Sequence, residues 1–328
     1  MNIYDIAREA GVSIATVSRV LNHKDTVRAD TRAKVETVLK RCNYTPSAIA
    51  QGMVSKSLHT VAVFTVDIRD SHYARTTYTI EREFGRRGYE VILCNTGGDR
   101  TETLRTLQAV VQKQVDGIIL VGSIFNTICQ GAEMENLLRK IPVVLANGAL
   151  ALPDAYSVMV DDRRGVEMAV EHLVKTGRRQ LYYIKDKDTD SALAKKDGFI
   201  SGMANAGLES AGHILETGET LEDGIRAVQQ LLAAGIRPDG ILCGEDLTAA
   251  GALKALLRAG VRVPEQTAVV GYDNSTYARL CEPELTSVDN KPEQVALLCV
   301  QLLQSRIEHG EDYSSVTLQP ELILRQSG

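Results

Sequence analysis

Two hydrophobic rhythms divide the chain. Up to about residue 59 the apolar positions recur at helical spacing and no run reads as a strand. Ile3, Ile6, Ala7 and Ala10 predict a helix that stops at Gly11, and Ser13 can cap a second helix through Leu21, closed by Asn22. A third, from about Asp30 to Cys42, carries Val35, Val38 and Leu39 on one face. Thr45-Pro46 reads as a cap followed by Pro at the first helical position, opening a short helix from Ser47 to about Ser55 that contains Gly52. From Thr60 the rhythm changes. Short β-rich runs at 60–66, 90–96, 117–122, 142–147, 157–162, 180–186, 213–217, 240–244 and 268–273 alternate with amphipathic stretches such as Thr76–Arg87, Arg163–Thr176, Leu193–Ala206, Glu222–Ala234 and Leu247–Ala259.

Continuous apolar strands separated by helices predict parallel sheets covered on both faces, an α/β body behind an all-α head. Nine strands are many for one small sheet, so two are expected, with Ala149–Tyr156 as the crossover between them. No sequence repeat of 20–50 residues is visible. Open α/β sheets bind ligands beyond the carboxyl ends of their strands. The residues to read are therefore Asp67–Tyr73, Asn95–Asp99, Ser123, Asn147, Asp161–Arg164, Lys185–Asp190, Glu245–Asp246 and Asp273–Asn274. Many are polar and few aromatic, which suits a small hydroxylated or charged ligand.

Length and composition narrow the class. The chain has 328 residues, enough for two or three domains, and 44% apolar with 24% charged residues is the profile of a globular protein. Six Cys without a CxxC pair indicate neither a disulfide framework nor a zinc ribbon, so reduced thiols are expected. No run reaches the 18 or so apolar residues of a membrane span, and Asp5, Arg8 and Glu9 stand where a signal peptide would be apolar. A cytoplasmic protein is expected. The net charge of −5 is unevenly spread: residues 1–60 hold nine Lys/Arg against five acids (+4), and the remainder 28 against 37 (−9). A basic head on an acidic body points to a polyanion at one end.

That head carries the most specific motif, IYDIAREAGVSIATVSRVLN over Ile3–Asn22. A helix-turn-helix needs a small residue where its helices cross (Ala7), a turn residue that accepts positive φ (Gly11), and apolar wedges (Ile6, Val12, Val17, Val20). Hydroxyl, amide and guanidinium groups remain on the second helix for phosphates and base edges of a major groove.

With VRADTRAKVETVLKRCNYTPSAIA (27–50), VDGIIL (115–120), GILCGEDLTAAGALKAL (240–256), VPEQTAVVGYDNS (263–275), PELTSVD (283–289) and PELILRQS (320–327), the chain resembles the lactose/galactose repressor (LacI/GalR) family over some 325 residues. The resemblance implies a DNA-binding head over 1–45 and a hinge helix and linker over 46–59. It implies a two-lobed, periplasmic-binding-protein-like body over 60–328, lobe 1 covering about 60–158 and 289–312, and lobe 2 about 159–288 and 313–328. Ile14, Ala15 and Arg19 would read bases, with Arg19 on a guanine. Tyr4, Ser13, Thr16, Ser18, Asn22 and Thr31 would hold phosphates. Ser47, Ala50, Met53 and Val54 belong to the hinge that enters the minor groove, where Met53 replaces the family's intercalating Leu. Nine residues with an internal Gly are too few for an isolated helix, so this segment should order on DNA.

In the body the resemblance places effector contacts at Asp67, His72, Tyr73, Ser123, Arg164, Lys195, Glu245 and Asp273. Lys195, before Gly198, stands where the family has Arg, and Glu245 where it has Asn or Asp. A sugar, sugar phosphate or sugar-derived acid is the expected effector, and a homodimer on a near-palindromic operator the expected assembly. No catalytic residue, cofactor, metal ion or membrane partner is implied. The chain stops at Gly328 without a leucine heptad, so no coiled-coil tetramer is expected. Two other classes fit less well. An α/β enzyme should show G-x-G-x-x-G, a P-loop, H-E-x-x-H or G-x-S-x-G, and none occurs; Asp161-Asp162 could hold Mg²⁺ but reads better as a helix start. A sugar-binding transport protein fits 60–328 but not the head.

Overall fold

A computed structural model describes residues 2–21, 26–42 and 57–328. The chain divides into two compact units, 1–59 and 60–328. The described part of the first unit holds three helices: α1 (Ile3–Ala10), α2 (Ile14–Leu21) and α3 (Ala29–Arg41). Asn2 and Asp5 form a reciprocal capping box on α1, which then stops at Gly11 with φ 66°. That conformation is costly for a residue with a Cβ, and it turns the chain sharply enough to start α2 two residues later. The Ser13 hydroxyl accepts from the Thr16 amide and caps α2. Ile6, Ala7, Val17, Val20, Val35 and Val38 close into one small core, in agreement with the apolar periodicity. Asn22 and the hinge residues Ser47, Ala50, Met53 and Val54 lie outside the described residues.

The second unit contains two sheets of six strands. The first runs β1 (Thr60–Thr65), α4 (Ser71–Arg86), β2 (Glu90–Asn95), α5 (Arg100–Gln112), β3 (Gly117–Val121), α6 (Phe125–Ile128), α7 (Ala132–Leu138), β4 (Val143–Ala146) and β5 (Ala155–Val160). The second runs α8 (Asp162–Lys175), β6 (Leu181–Lys185), α9 (Asp190–Asn205), β7 (Ile214–Glu216), α10 (Leu221–Ala233), β8 (Gly240–Cys243), α11 (Asp246–Arg258), β9 (Ala268–Tyr272), α12 (Thr276–Leu280) and β10 (Thr286–Asp289). The chain then returns to the first lobe as α13 (Pro292–His309), and β11 (Val316–Leu318) and β12 (Glu321–Ile323) follow. Strand orders are β11-β5-β4-β3-β1-β2 and β12-β10-β9-β8-β6-β7, and only the β10–β12 pairing is antiparallel. The two lobes therefore repeat one topology that no sequence repeat reveals. Each sheet is covered on both faces by an apolar cluster, which is why its strands read as unbroken hydrophobic runs.

Two sequence expectations need correction. Ala149–Tyr156 is not a crossover between sheets: it joins β4 to its parallel neighbour β5. The chain leaves the first sheet after Val160, where Asp161 caps α8 through the Arg164 amide. Residues 313–328 do not all belong to lobe 2, because β11 pairs with β5 of the first sheet while β12 pairs with β10 of the second. The short polar-flanked segments at β10, β11 and β12 gave no apolar run of their own and escaped the periodicity. Among the described residues no helix is long and apolar enough to cross a membrane.

Candidate functional site

On the head, Ser13, Ile14, Ala15 and Arg19 are exposed on α2, with Thr16 and Ser18 half-buried beside them. Tyr4 is exposed on α1, and Thr31 is half-buried near the start of α3. The first turn of α2 contains no acidic residue, whereas those of α1 and α3 carry Asp5 and Asp30. Unopposed amides at a helix start, flanked by the Ser13 and Thr16 hydroxyls, favour a phosphate oxygen. Arg28, Lys34, Lys40 and Arg41 add exposed positive charge to the same unit, and Arg41 pairs with Glu9.

In the body the strand order decides where a ligand can sit. Each sheet reverses direction of strand addition at its second and third positions from one edge, between β1 and β3 and between β6 and β8. The segments following those four strands converge on one cleft. A narrow cavity of about 40 Å³ is lined there by His72, Tyr73, Ser123, Asn147, Lys187, Lys195, Glu245, Asp273 and Asn290, among others. A wider chamber of about 300 Å³ shares His72, Glu245 and Asp273 and adds Asp67, Arg69, Asp70, Glu219, Asp246, Ser275 and Tyr277. The first has room for a few waters, the second for a small ligand. Seven of the eight residues expected at the effector site thus line one or both cavities.

Arg164 does not. Its guanidinium pairs with Glu171 at 2.6 Å and Glu167 at 3.5 Å along α8. At the start of a helix, successive side chains leave in different directions, and it is Asp162 that turns inward. Asp162 accepts from the Tyr272 hydroxyl at 2.6 Å, from the Ser191 hydroxyl and from the Asn147 amide at 3.4 Å. Lys195 also differs from the expected grip. Its buried ammonium donates to the Gly244 carbonyl at 2.8 Å and lies 3.8 Å from the centroid of the Tyr272 ring, so it braces the end of β8.

Lys187, not singled out from sequence, is the central cation. Its ammonium bonds Glu245, lies 3.0 Å from Glu219 and 3.5 Å from Asp70, and sits 5.7 Å from the Tyr73 ring centroid. The three carboxylates are within 4.8 Å of one another, a spacing suited to a divalent cation, but the ammonium fills it. Burial works against the Lys187 charge, yet Glu245, Asp70 and Glu219 outweigh it and raise its pKa well above the ordinary value. Acids still outnumber bases. Burial, reinforced by Asp186, Asp273 and Asp70, pushes Glu245 up to about 8 against the opposing pull of Lys187. Burial and then Asp273 push Asp246 up to about 7. Asp67, by contrast, is held down to about 2 by the Arg69 guanidinium that grips it. Lys187, Asp70, Asn147 and Asp162 all fall within the strand-end segments, so the general rule for α/β sheets reached residues that position-by-position transfer passed over.

The lobes also touch each other across this cleft. Arg75 of α4 donates to the Asp273 and Asn274 carbonyls at 3.1 and 3.2 Å, and Asn126 donates to Asp190 at 2.6 Å. The Ser191 amide donates to the Ser123 hydroxyl at 3.2 Å. Asp273 holds φ 96° and Asn274 φ 47°, a backbone region that non-glycine residues reach only with strain, and such strain is concentrated at functional sites.

Comparison with known proteins agrees with both halves. Residues 2–47 match the family described as bacterial regulatory proteins, lacI family, and residues 170–328 match the periplasmic binding protein-like domain. An HTH-type transcriptional regulator of Lachnoclostridium phytofermentans is 32% identical over 331 residues, covering 100% of this chain and 99% of the relative. The ribose operon repressor of Escherichia coli (strain K12) is 31% identical over 305 residues, 92% of each protein. A solved transcriptional regulator, CelR, in complex with cellobiose superposes over the whole of both chains with a TM-score of 0.74 at 27% identity.

Proposed function

The chain belongs to the lacI family of bacterial regulatory proteins, and from that premise we propose the following working cycle. The protein is a DNA-binding transcriptional repressor whose operator affinity is switched by a small effector, a sugar or sugar derivative, bound between the lobes. As a homodimer on the bacterial chromosome it sets two copies of α2 in successive major grooves of a near-palindromic operator. Ile14, Ala15 and Arg19 read base edges; Tyr4, Ser13, Thr16, Ser18 and Thr31 position the phosphates. The observation that carries this reading is the exposed, acid-free start of α2, in a chain whose second unit encloses a polar cavity of about 300 Å³.

The head occupies the first 45 or so residues, residues 46–59 connect it to the body, and the two lobes form the effector domain. Effector contacts come from His72, Tyr73, Ser123, Glu245 and Asp273, with Asp67 at the rim and Lys195 bracing the pocket. Switching needs the ligand to bind two lobe arrangements with different affinity. The bonds that span the cleft, Lys187 to Asp70, Arg75 to Asp273 and Asn274, and Asn126 to Asp190, supply that difference, since a ligand seated among them exchanges its own hydroxyl groups for some of theirs. Carboxylates and amides suit a polyol, and the sugar-linked names of the ribose and cellobiose relatives agree with it.

The test is capture of genomic fragments by the full chain at low ionic strength, followed by titration of the selected duplex with salt. A repressor loses affinity steeply, with a log–log slope of about −0.9 per phosphate neutralised, and keeps a sequence preference. Binding that ignores both salt and sequence overturns the reading.

A further inference from the structure

Carboxyl groups outnumber basic groups on the chamber wall. Six carboxyl groups line it, those of Asp67, Asp70, Glu219, Glu245, Asp246 and Asp273, and its lining includes one guanidinium, Arg69. Arg69 is spent on Asp67, which it grips with both its Nε and a terminal nitrogen. Lys187 reaches in from the neighbouring cavity and is shared among Asp70, Glu219 and Glu245. That leaves Asp246 and Asp273 on the chamber wall, the latter with the buried Lys195 ammonium as a charged neighbour. Asp246 accepts from two neutral donors, the Ser275 amide at 2.6 Å and the Ser287 hydroxyl at 2.7 Å. Asp273 accepts from the Asn290 amide at 2.7 Å, with His72 Nδ1 3.8 Å away.

A second observation is independent of this charge imbalance. Asn290 is 3% exposed, and its side-chain carbonyl oxygen is buried without a hydrogen-bond partner, although its amide nitrogen is bonded. It lines the narrow cavity beside Asp273 and His72. A buried acceptor left unsatisfied calls for a donor from outside the chain. Both the orphan atom and the surplus carboxylates therefore ask for N–H and O–H donors, and nothing on the wall offers an uncommitted guanidinium fork for a phosphate or carboxylate.

We propose that the effector is a polyhydroxylated amine, an amino sugar carried in its ammonium form, with its positive end against Asp246 and Asp273 and its hydroxyl groups toward Asn290 and His72. This rests on the effector role given to the cleft above and narrows its ligand class, setting aside sugar phosphates and sugar acids. The raised carboxyl pKa values at Glu245 and Asp246 are in keeping with a wall short of positive charge.

The experiment is a thermal-shift and calorimetric comparison on the full chain using matched sets: glucosamine, glucose, glucose 6-phosphate and gluconate, with galactosamine, galactose and galactose 6-phosphate beside them. At least one amine should bind at least tenfold more tightly than its neutral parent, with no shift from the phosphates or gluconate up to 50 mM. Asp273→Asn should bring the amine-to-parent ratio close to one. Tighter binding of any phosphate or acid, equal binding of amine and parent, or no binding by any of the amines overturns the proposal. Duplex binding measured in parallel separates the two readings. Retained operator affinity with these failures removes the ligand class alone, and absent operator affinity with amine-selective shifts removes the repressor reading alone.

Discussion

Asp246 makes the electrostatic reading of the cleft measurable without any ligand. It is the first residue of α11, 1% exposed, and bonded to the Ser275 amide and Ser287 hydroxyl, with no ion pair among the described residues. Its pKa rises to about 7, from burial first and Asp273 second. A carboxyl group whose pKa is raised by folding binds its proton more tightly in the folded state. Its stabilising contribution is therefore complete below the unfolded value near 4 and is lost as pH climbs through the folded value near 7. At about 1.4 kcal/mol per pH unit, the loss between pH 5 and 7.5 is about 2–3 kcal/mol. Asp246→Asn keeps the shape and abolishes the titration. Urea unfolding of both proteins, followed by far-ultraviolet circular dichroism at pH 5, 6, 7 and 8, should show the variant gaining on the parent by about that amount across the range. Two curves separated by a constant gap would show that Asp246 does not titrate in this window, and the account of an acid-rich wall would fail with it.

Arg19→Ala should cost about 1–3 kcal/mol of operator affinity and relax the preference at one base position; an unchanged base preference in fragment selection removes Arg19 from the reading set. Ser13→Ala should lower the stability of the head by about 1 kcal/mol through the lost α2 cap, read from its melting midpoint. Gly198→Ala places a Cβ 2.3 Å from the Arg163 carbonyl oxygen and must push α8 from α9. A loss of about 1–3 kcal/mol in unfolding is expected, and none is incompatible with that close approach. Arg164→Ala should remove ion pairs worth less than about 1 kcal/mol while leaving the effector response intact; loss of the response would return Arg164 to the cleft.

What is local can be read from the residues. Ala7, Gly11, Ser13 and the Val17–Val20 spacing specify the head, because turn geometry, capping and helical periodicity act within a few residues. The apolar runs of nine strands, and with them the polar residues at their ends, are likewise local, so Lys187, Asp70 and Asp162 were already inside the segments worth reading. Which of those ends meet depends on the long-range strand pairings. The order β2-β1-β3-β4-β5 depends on pairings between residues tens of positions apart, and β10, β11 and β12 are strands chiefly because a neighbouring edge completes their hydrogen bonds. Helix phase at Asp161–Arg164 sent Asp162 inward and Arg164 out, a choice of direction that residue type does not reveal. The electrostatics of the cleft are decided the same way: a carboxylate is ordinary in water, and only burial beside other carboxylates, with one lysine shared among three of them, raises the pKa values of Glu245 and Asp246.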